Sequence, residues 1–252
     1  MTGGRDSEAL RRVVVLAPMP LELDAVVTAF GLGRSDGSED APWTGRLGNS
    51  MVTAIHVGMG PPAARAATLR LFEEALRGDP GAPAVDHVMI AGICGGLDPD
   101  IEVGTLLNPE YLVEHASGSR YAHRPPGGVP QLGGLATTEA VSFDLELTRR
   151  LREDGCLGVD MESSAVAEIC EAKGCSWSVY RCISDRAFDG LLDERIVAAT
   201  NPDGSADMAE IARLLAEDPD LAAKLGRLAE DSARAARLAA EAAARGCLAL
   251  DD

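Results

Sequence analysis

Two acidic residues stand where predicted strands end. Glu162 follows the apolar segment 157–161, and Asp185 follows the segment 176–183. In open α/β sheets, ligands bind beyond the carboxyl ends of strands, so acids at these points are well placed for chemistry. We therefore interpret Glu162 and Asp185 as a pair of catalytic carboxylates, although their positions alone do not define a reaction.

The elements around this pair alternate between strand and helix patterns. A helix is predicted over 162–173, and Gly174 closes it as a left-handed cap. Periodicity predicts further strands at 13–16 and 87–93 and a hairpin of 43–47 and 51–57 around a turn at 48–50. The other predicted segments are helices at 21–30, from 58–60 to about 76, at 206–216 and at 219–245, and a loop at 124–134.

Alternating strands and helices predict an α/β protein, a three-layer α/β/α sandwich around a central mixed β-sheet. The 252 residues, 46% of them hydrophobic, are enough for one well-buried domain. We expect a single domain over 1–252, in which 1–11 form a flexible N-terminus and 206–246 form the C-terminal helices.

Composition excludes several classes of protein. A net charge of −17 argues against a nucleic-acid partner, because such binding depends on basic side chains that neutralise phosphates. The chain has neither a membrane-length apolar run nor a leader pattern, so we expect a cytoplasmic protein without membrane contact. Its six cysteines lack metal-binding spacing, and we expect no disulfide, no metal and no cofactor.

Several motifs occur in one order along the chain. VDMESSAVA at 159–167 and VYRCISDRA at 179–187 resemble the signature of the nucleoside phosphorylase and nucleosidase superfamily, of the purine and uridine phosphorylase type. Three upstream strings match as well, at 13–26, 56–67 and 91–107. Each string is weak alone, and together they indicate the family. The resemblance implies the phosphorylase/hydrolase-like fold and a purine nucleoside as the small-molecule substrate.

The same resemblance implies roles for individual residues. Asp185 would protonate N7 of the purine, Glu162 would accept hydrogen bonds from the ribose hydroxyls, and Met161 would pack against the sugar. Glu22 would position the attacking water, although a glutamate in the first turn of a helix is also favoured by the helix dipole. Arg181 would hold the water and the carboxylates, or it would form only a structural salt bridge.

Other candidate substrate contacts are less typical of the family. Ser184 is the small neighbour of Asp185. Ile93 stands where the family usually has a hydroxyl residue, and Val141 stands where adenine nucleosidases have an aromatic residue that stacks on the purine. Gly58 and Gly60 would let the backbone approach ribose or phosphate closely, or they form a plain turn before a helix.

The nucleophile is inferred from residues that are missing. The central segment 89–96 contains no arginine to grip phosphate, which favours hydrolysis of a nucleoside such as methylthioadenosine or adenosylhomocysteine. The alternatives are a phosphorylase, acting for example on a 5′-modified adenosine, and a non-catalytic nucleoside-binding protein. The segment 58–67 and the C-terminal tail resemble phosphorylases proposed to act on adenosylated lipids, which leaves a bulky or unusual 5′ substituent open. Family members are oligomers, and we expect a homodimer.

Overall fold

A computed structural model of the protein describes residues 10–38, 41–77 and 84–251. Its strands are β1 (Arg11–Ala17), β2 (Gly33–Arg34), β3 (Trp43–Leu47), β4 (Ser50–His56), β5 (His87–Gly96), β6 (Leu106–Leu107), β7 (Tyr111–Glu114), β8 (Arg120–Ala122), β9 (Gly134–Thr137), β10 (Cys156–Asp160) and β11 (Ser176–Arg186). Its helices are α1 (Pro20–Phe30), α2 (Pro61–Arg77), α3 (Leu145–Glu153), α4 (Ser163–Lys173), α5 (Glu194–Ala198), α6 (Met208–Glu217) and α7 (Leu221–Leu248). Most of the predicted flexible N-terminus, residues 1–9, lies outside the described residues.

One mixed sheet contains all of these strands, in the order β2-β3-β4-β1-β5-β10-β9-β7-β8, with β11 beside β5 and β6. β5 is parallel to β1 and β11 and antiparallel to β10, which in turn is parallel to β9. β11 pairs along the whole of one edge of β5. The other edge of β5 is therefore shared by β1 and β10. β1 pairs as far as Ile90 and β10 from Gly95 onward, so the sheet splits between them at residues 91–94.

Helices cover both faces of the sheet. Along β1, Val14 and Leu16 point into one core cluster, to which α2 and α4 contribute side chains, while Val13 and Val15 point into another with α1 and α7. This alternation is the two-residue period of a strand that is buried on both faces. The predicted three-layer α/β/α sandwich with a central mixed sheet is confirmed. In the described part of the chain, no helix is both long and apolar enough to cross a membrane.

The predicted elements are present with small shifts at their ends. The hairpin turn is shorter than predicted, since Ser50 already pairs with Leu47. β5 runs past residue 93 to Gly96 because its end pairs with β10 and β11. Gly174 closes α4 with a φ of 66°, as predicted. The elements not predicted from the sequence are β2, β6 to β9 and α5, which are short and show little periodicity, and α3, a nine-residue amphipathic helix. The predicted loop at 124–134 holds one 3-10 turn, Pro126–Gly128.

Candidate active site

A cavity of about 550 Å³ opens beside the split in the sheet. It is where most of the candidate residues meet, although they come from α1, β5, β11, the start of α4 and the segment after β9. The candidates that line it are Glu22, Ile93, Val141, Met161, Glu162, Ser184 and Asp185. Gly58, Gly60 and Arg181 are not part of its wall.

Glu22 is held by backbone amides at the split. One carboxylate oxygen accepts a hydrogen bond from the Met19 N–H at 2.7 Å, and the other accepts one from the Ile93 N–H at 2.7 Å. The Ile93 amide is available because neither β1 nor β10 pairs with β5 there. Glu22 is only 1% exposed, so it differs from a solvated glutamate in the first turn of a surface helix. A Cβ on Gly92 would lie 2.0 Å from its carboxylate, which explains the glycine.

Arg181 is buried beneath the cavity wall and contacts three carboxylates. Its Nη1 lies 3.5 Å from Glu22, its Nη2 donates to Glu162 at 3.0 Å, and its Nε donates to Asp160 at 2.9 Å. All four side chains are at most 6% exposed. Burial would lower the pKa of Arg181, but the three carboxylates together raise it, so the guanidinium stays charged. The arrangement links Arg181 to the acids of the cavity.

Asp160 is a residue that the sequence analysis did not select. Its carboxylate accepts hydrogen bonds from Arg181, from the Thr137 hydroxyl at 2.7 Å and from the Ser163 N–H at 3.2 Å. Asp160 is the last residue of β10, so the argument that selected Glu162 from its strand-end position applied equally to Asp160. It also lies within the VDMESSAVA motif.

Glu162 joins β10 to α4 and lies next to the start of α2. Its Oε1 accepts a hydrogen bond from the Gly60 N–H at 2.7 Å, and Gly60 has a φ of 89°. Gly60 therefore fixes a carboxylate of the site instead of lining the cavity. Gly58 has a φ of 83° and lies in the same turn, where the neighbouring Met59 N–H donates to the backbone carbonyl of residue 202 at 3.1 Å.

Asp185 lies within β11, one residue before its end, next to a register shift after Ile183. The Ser184 hydroxyl donates to its Oδ1 at 2.7 Å. Among residues 10–38, 41–77 and 84–251, no cation forms an ion pair with Asp185. Burial raises the pKa of Asp185 to about 6, while the Ser184 hydrogen bond acts in the opposite direction. Asp185 can therefore carry a proton close to neutral pH.

Burial also raises the pKa of the other two acids. The pKa of Glu162 rises to about 7, and that of Glu22 rises as well, in both cases against the attraction of Arg181. Groups that gain or lose a proton near pH 7 are suited to general acid and base catalysis. The cavity therefore combines Asp185, which has no ion-pair partner among the described residues, with Glu22 and Glu162, which share Arg181.

The model of the phosphorylase superfamily matches residues 12–154. The chain belongs to the phosphorylase superfamily. This match confirms the family recognised from the motifs, and it agrees with the predicted enzyme class, an N-ribosyl hydrolase or a nucleoside phosphorylase. The matched range contains Glu22 and the split in β5, whereas Glu162, Arg181 and Asp185 follow it. A comparison with curated proteins finds no match for this superfamily member.

Solved structures share the fold over nearly the whole chain. The 5′-methylthioadenosine/S-adenosylhomocysteine nucleosidase of Helicobacter pylori has a TM-score of 0.67 at 17% identity, covering 95% of this chain and 99% of its own. Futalosine hydrolase of the same bacterium gives 0.66 at 17% identity, with 97% and 99% covered. S-adenosylhomocysteine nucleosidase of Streptococcus pyogenes gives 0.65 at 16% identity, with the same shares.

The far side of the cavity in this superfamily member is apolar. Its wall is formed by side chains of α6 and α7 and of the segment around α5, namely Leu192, Ile196, Ile211, Leu214, Leu225 and Leu228. Val141 and Phe143 lie at the cavity as well, 36% and 43% exposed. The sequence pattern did not reveal this wall, since leucines at helical spacing are equally typical of an ordinary core.

Ile93 contributes to the site mainly through its backbone. Its N–H holds Glu22, while its side chain packs against Cys182, Ala235 and Ala239 on the α7 side of the sheet. An apolar residue fits this packing. Ile93 therefore supplies no hydroxyl to the cavity, and the amide it donates to Glu22 is available with any residue except proline at this position.

Proposed function

We propose that the protein hydrolyses the N-glycosidic bond of a purine nucleoside of the adenine type, such as methylthioadenosine or adenosylhomocysteine, and releases the free base. The observation that carries this proposal is the convergence of Glu22, Glu162 and Asp185 on one cavity. Cleavage of such a bond develops negative charge on the departing base and positive charge on the ribose. It needs an acid at the base and carboxylates at the sugar.

Asp185 is the proposed acid. A protonated Asp185 donates to N7 of the purine and neutralises the base as the bond breaks. Its pKa of about 6 leaves a useful protonated fraction near neutral pH, and Ser184 holds the carboxyl in place. General acid catalysis of this kind contributes about 10² to 10⁴ in rate.

Glu162 and Glu22 are proposed to act at the sugar. Glu162 keeps one oxygen on the Gly60 amide and the other on Arg181, and its remaining lone pairs accept the ribose hydroxyls. Glu22 is fixed by two amides and takes a proton from the attacking water. In their ionised forms, both glutamates stabilise positive charge on the ribose more strongly as it develops. Met161 packs against the sugar in this arrangement.

The charges of the wall favour water over phosphate as the nucleophile. Besides Asp185, which is protonated when it acts as the acid, the carboxylates of Glu22, Asp160 and Glu162 line the cavity, and a phosphate dianion would meet the repulsion of their ionised forms. Arg186 is the arginine of the described wall, and its guanidinium donates outward to the carbonyl of residue 99. Phosphate binding ordinarily relies on bidentate guanidinium contacts directed into the site.

A second candidate is phosphorolysis of a 5′-modified adenosine. The wall of α5, α6 and α7 favours a substrate with an apolar 5′ group, because most of its lining side chains are aliphatic, although Thr200 and Ser232 also line the cavity there. A non-catalytic binding protein is the third candidate. The three buried carboxylates speak against it, since burying acids costs stability that a binding protein has no need to lose.

Two further proposals concern the protein as a whole. We propose a homodimer, because Phe143 and Leu145 are 43% and 59% exposed beside the cavity, where a partner would cover them. Light scattering after size-exclusion chromatography tests the dimer. A cytoplasmic location remains a prediction from the sequence, and fractionation of the producing cells tests it.

The function is tested by release of free base from adenosine, deoxyadenosine, methylthioadenosine, adenosylhomocysteine and inosine, each with and without phosphate. Hydrolysis predicts release without phosphate, at a rate that Asp185→Asn lowers by about 10² to 10⁴. Asp24→Asn, a matched change on the exposed face of α1, is expected to keep full activity. Release that requires phosphate would replace the proposal by phosphorolysis, and binding of adenine without any release would indicate a binding protein.

A further inference from the structure

Asp160 lies between the cavity carboxylates and the rest of the fold. Its Oδ2 contacts two nitrogens of Arg181, Nε and Nη2, both at 2.9 Å. The guanidinium also contacts Glu22 and Glu162, and its Nε lies 3.4 Å from the Ser163 hydroxyl. We propose that Asp160 is a positioning residue, which fixes the Arg181 guanidinium so that it holds Glu22 and Glu162 in their reactive places. This inference rests on the proposed function.

The carboxylate of Asp160 is itself fixed from two elements. Thr137, at the end of β9, donates its hydroxyl to Oδ1 at 2.7 Å, and the same hydroxyl accepts the Ser164 N–H at 3.0 Å. The N–H and the hydroxyl of Ser163, in the first turn of α4, both donate to Oδ2. Residues of β9 and of the first turn of α4 therefore hold the Asp160 carboxylate, in addition to its contact with Arg181 on β11.

Because the guanidinium is rigid, its contact with Asp160 sets the orientation of the whole Arg181 head group. A guanidinium is planar and presents its N–H groups in a rigid fork, so fixing Nε and one face of Nη2 fixes the direction of every other N–H. With Asp160 in place, Nη1 is directed to Glu22 and Nη2 to Glu162. Without it, Arg181 can turn within the cluster and release one glutamate from its place.

Asp160 also contributes charge to the cluster. The titratable groups that surround it and Arg181 are Glu22 from α1, Cys94 from β5 and Glu162 before α4. Burial is the largest cause of the raised pKa of both glutamates, and the negative charge of Asp160 raises it further. Removing that charge lowers both pKa values and makes the glutamates ionise at lower pH.

The test is Asp160→Asn, which keeps the shape of the side chain and removes its charge. We expect kcat to fall about 100-fold, the effect of misplacing reactive groups by about 1 Å, with little change in KM. The acid limb of kcat/KM should also move to lower pH by on the order of one pH unit. Unfolded molecules are inactive, so a partial loss of fold lowers the measured activity at every pH without moving the acid limb, and the pH profile separates positioning from structural damage.

A second pair of variants covers the outcome in which Asp160→Asn fails to fold. Thr137→Val removes the hydroxyl that fixes Asp160, and we expect a smaller loss in kcat. Thr68→Val is the matched control, since Thr68 is a fully buried threonine of α2 that bonds only within its helix, and it should leave kcat unchanged. Equal kcat in Thr137→Val and Thr68→Val overturns the positioning role, as does an unshifted pH profile in Asp160→Asn.

Failure of the proposed function is recognised separately. If the wild-type protein releases no base from any nucleoside, the hydrolytic proposal fails while the positioning role remains measurable. Carbon-13 NMR of labelled glutamate side chains reads the titration of Glu22 and Glu162 without activity. In a variant shown to be folded by circular dichroism, lower pKa values in Asp160→Asn than in the wild type support the inference, and unchanged values overturn it.

Discussion

Asp185→Asn should make the protein more stable while it removes activity. Burial raises the pKa of Asp185 from 3.8 to about 6. An acid with a raised pKa in the folded state costs no stability below its unfolded value, and it costs progressively more as the pH rises through the folded value. One pKa unit corresponds to about 1.4 kcal/mol, so the ionised carboxylate costs about 3 kcal/mol above pH 6. Asparagine carries no such cost.

The assay is urea unfolding of the wild type and Asp185→Asn at pH 4 and pH 8. We expect the variant to be more stable by about 3 kcal/mol at pH 8 and nearly equal to the wild type at pH 4. Asp24→Asn, on an exposed position of α1, should show the same small difference at both pH values. The kcat for base release should fall by about 10² to 10⁴ in Asp185→Asn.

Two results would refute this reasoning. If Asp185→Asn is no more stable than the wild type at pH 8, burial of the ionised Asp185 does not lower the free energy of unfolding. The raised pKa, and with it protonation near neutral pH, would then be wrong. If the variant gains stability but keeps its activity, the carboxyl is buried as described without acting as the acid. Loss of stability and activity together would indicate a structural role.

The remaining predictions concern the other acids and two buried histidines. Gly92→Ala brings a Cβ within 2.0 Å of the Glu22 carboxylate, so kcat should fall about 100-fold and the melting temperature should drop; unchanged kcat would contradict the placement of Glu22. Glu162→Gln should lower kcat/KM for methylthioadenosine by roughly 10- to 100-fold, through loss of a charged hydrogen-bond acceptor. Burial lowers the pKa of His87 and His123 to about 4, so NMR should show both neutral down to that pH. The free energy of unfolding should therefore decrease as the pH falls from 6.5 toward 4, because only the unfolded chain takes up these two protons.

Local sequence patterns predicted the strand–helix–strand unit that carries Glu162 and Asp185. The strand, helix and strand of β10, α4 and β11 are visible in apolar runs, and Gly174 marks the end of the helix. The acids at the ends of the strands follow from the same pattern. β6 to β9 were missed because strands of two to four residues carry too little periodicity, and they exist through pairing with distant partners.

Long-range contacts account for the parts of the site that the sequence analysis missed or left open. Arg181 was predicted either to hold the carboxylates or to form a structural salt bridge, and the structure shows that one set of contacts does both. Glu22 and Arg181 are separated by 159 positions in the chain, so no spacing rule relates them. Gly60 reaches Glu162 across 102 positions. Such contacts depend on how the sheet brings the elements together.

The sequence by itself determined which acids stand at the ends of strands, and its motifs indicated the family and the fold. The tertiary structure decided how those acids behave. The split of the β5 edge frees an amide for Glu22, Arg181 lies beneath Glu22 and Glu162 but not Asp185, and burial raises the pKa of all three acids. A pKa depends on solvent and charge around a group, and both are set by residues distant in the chain.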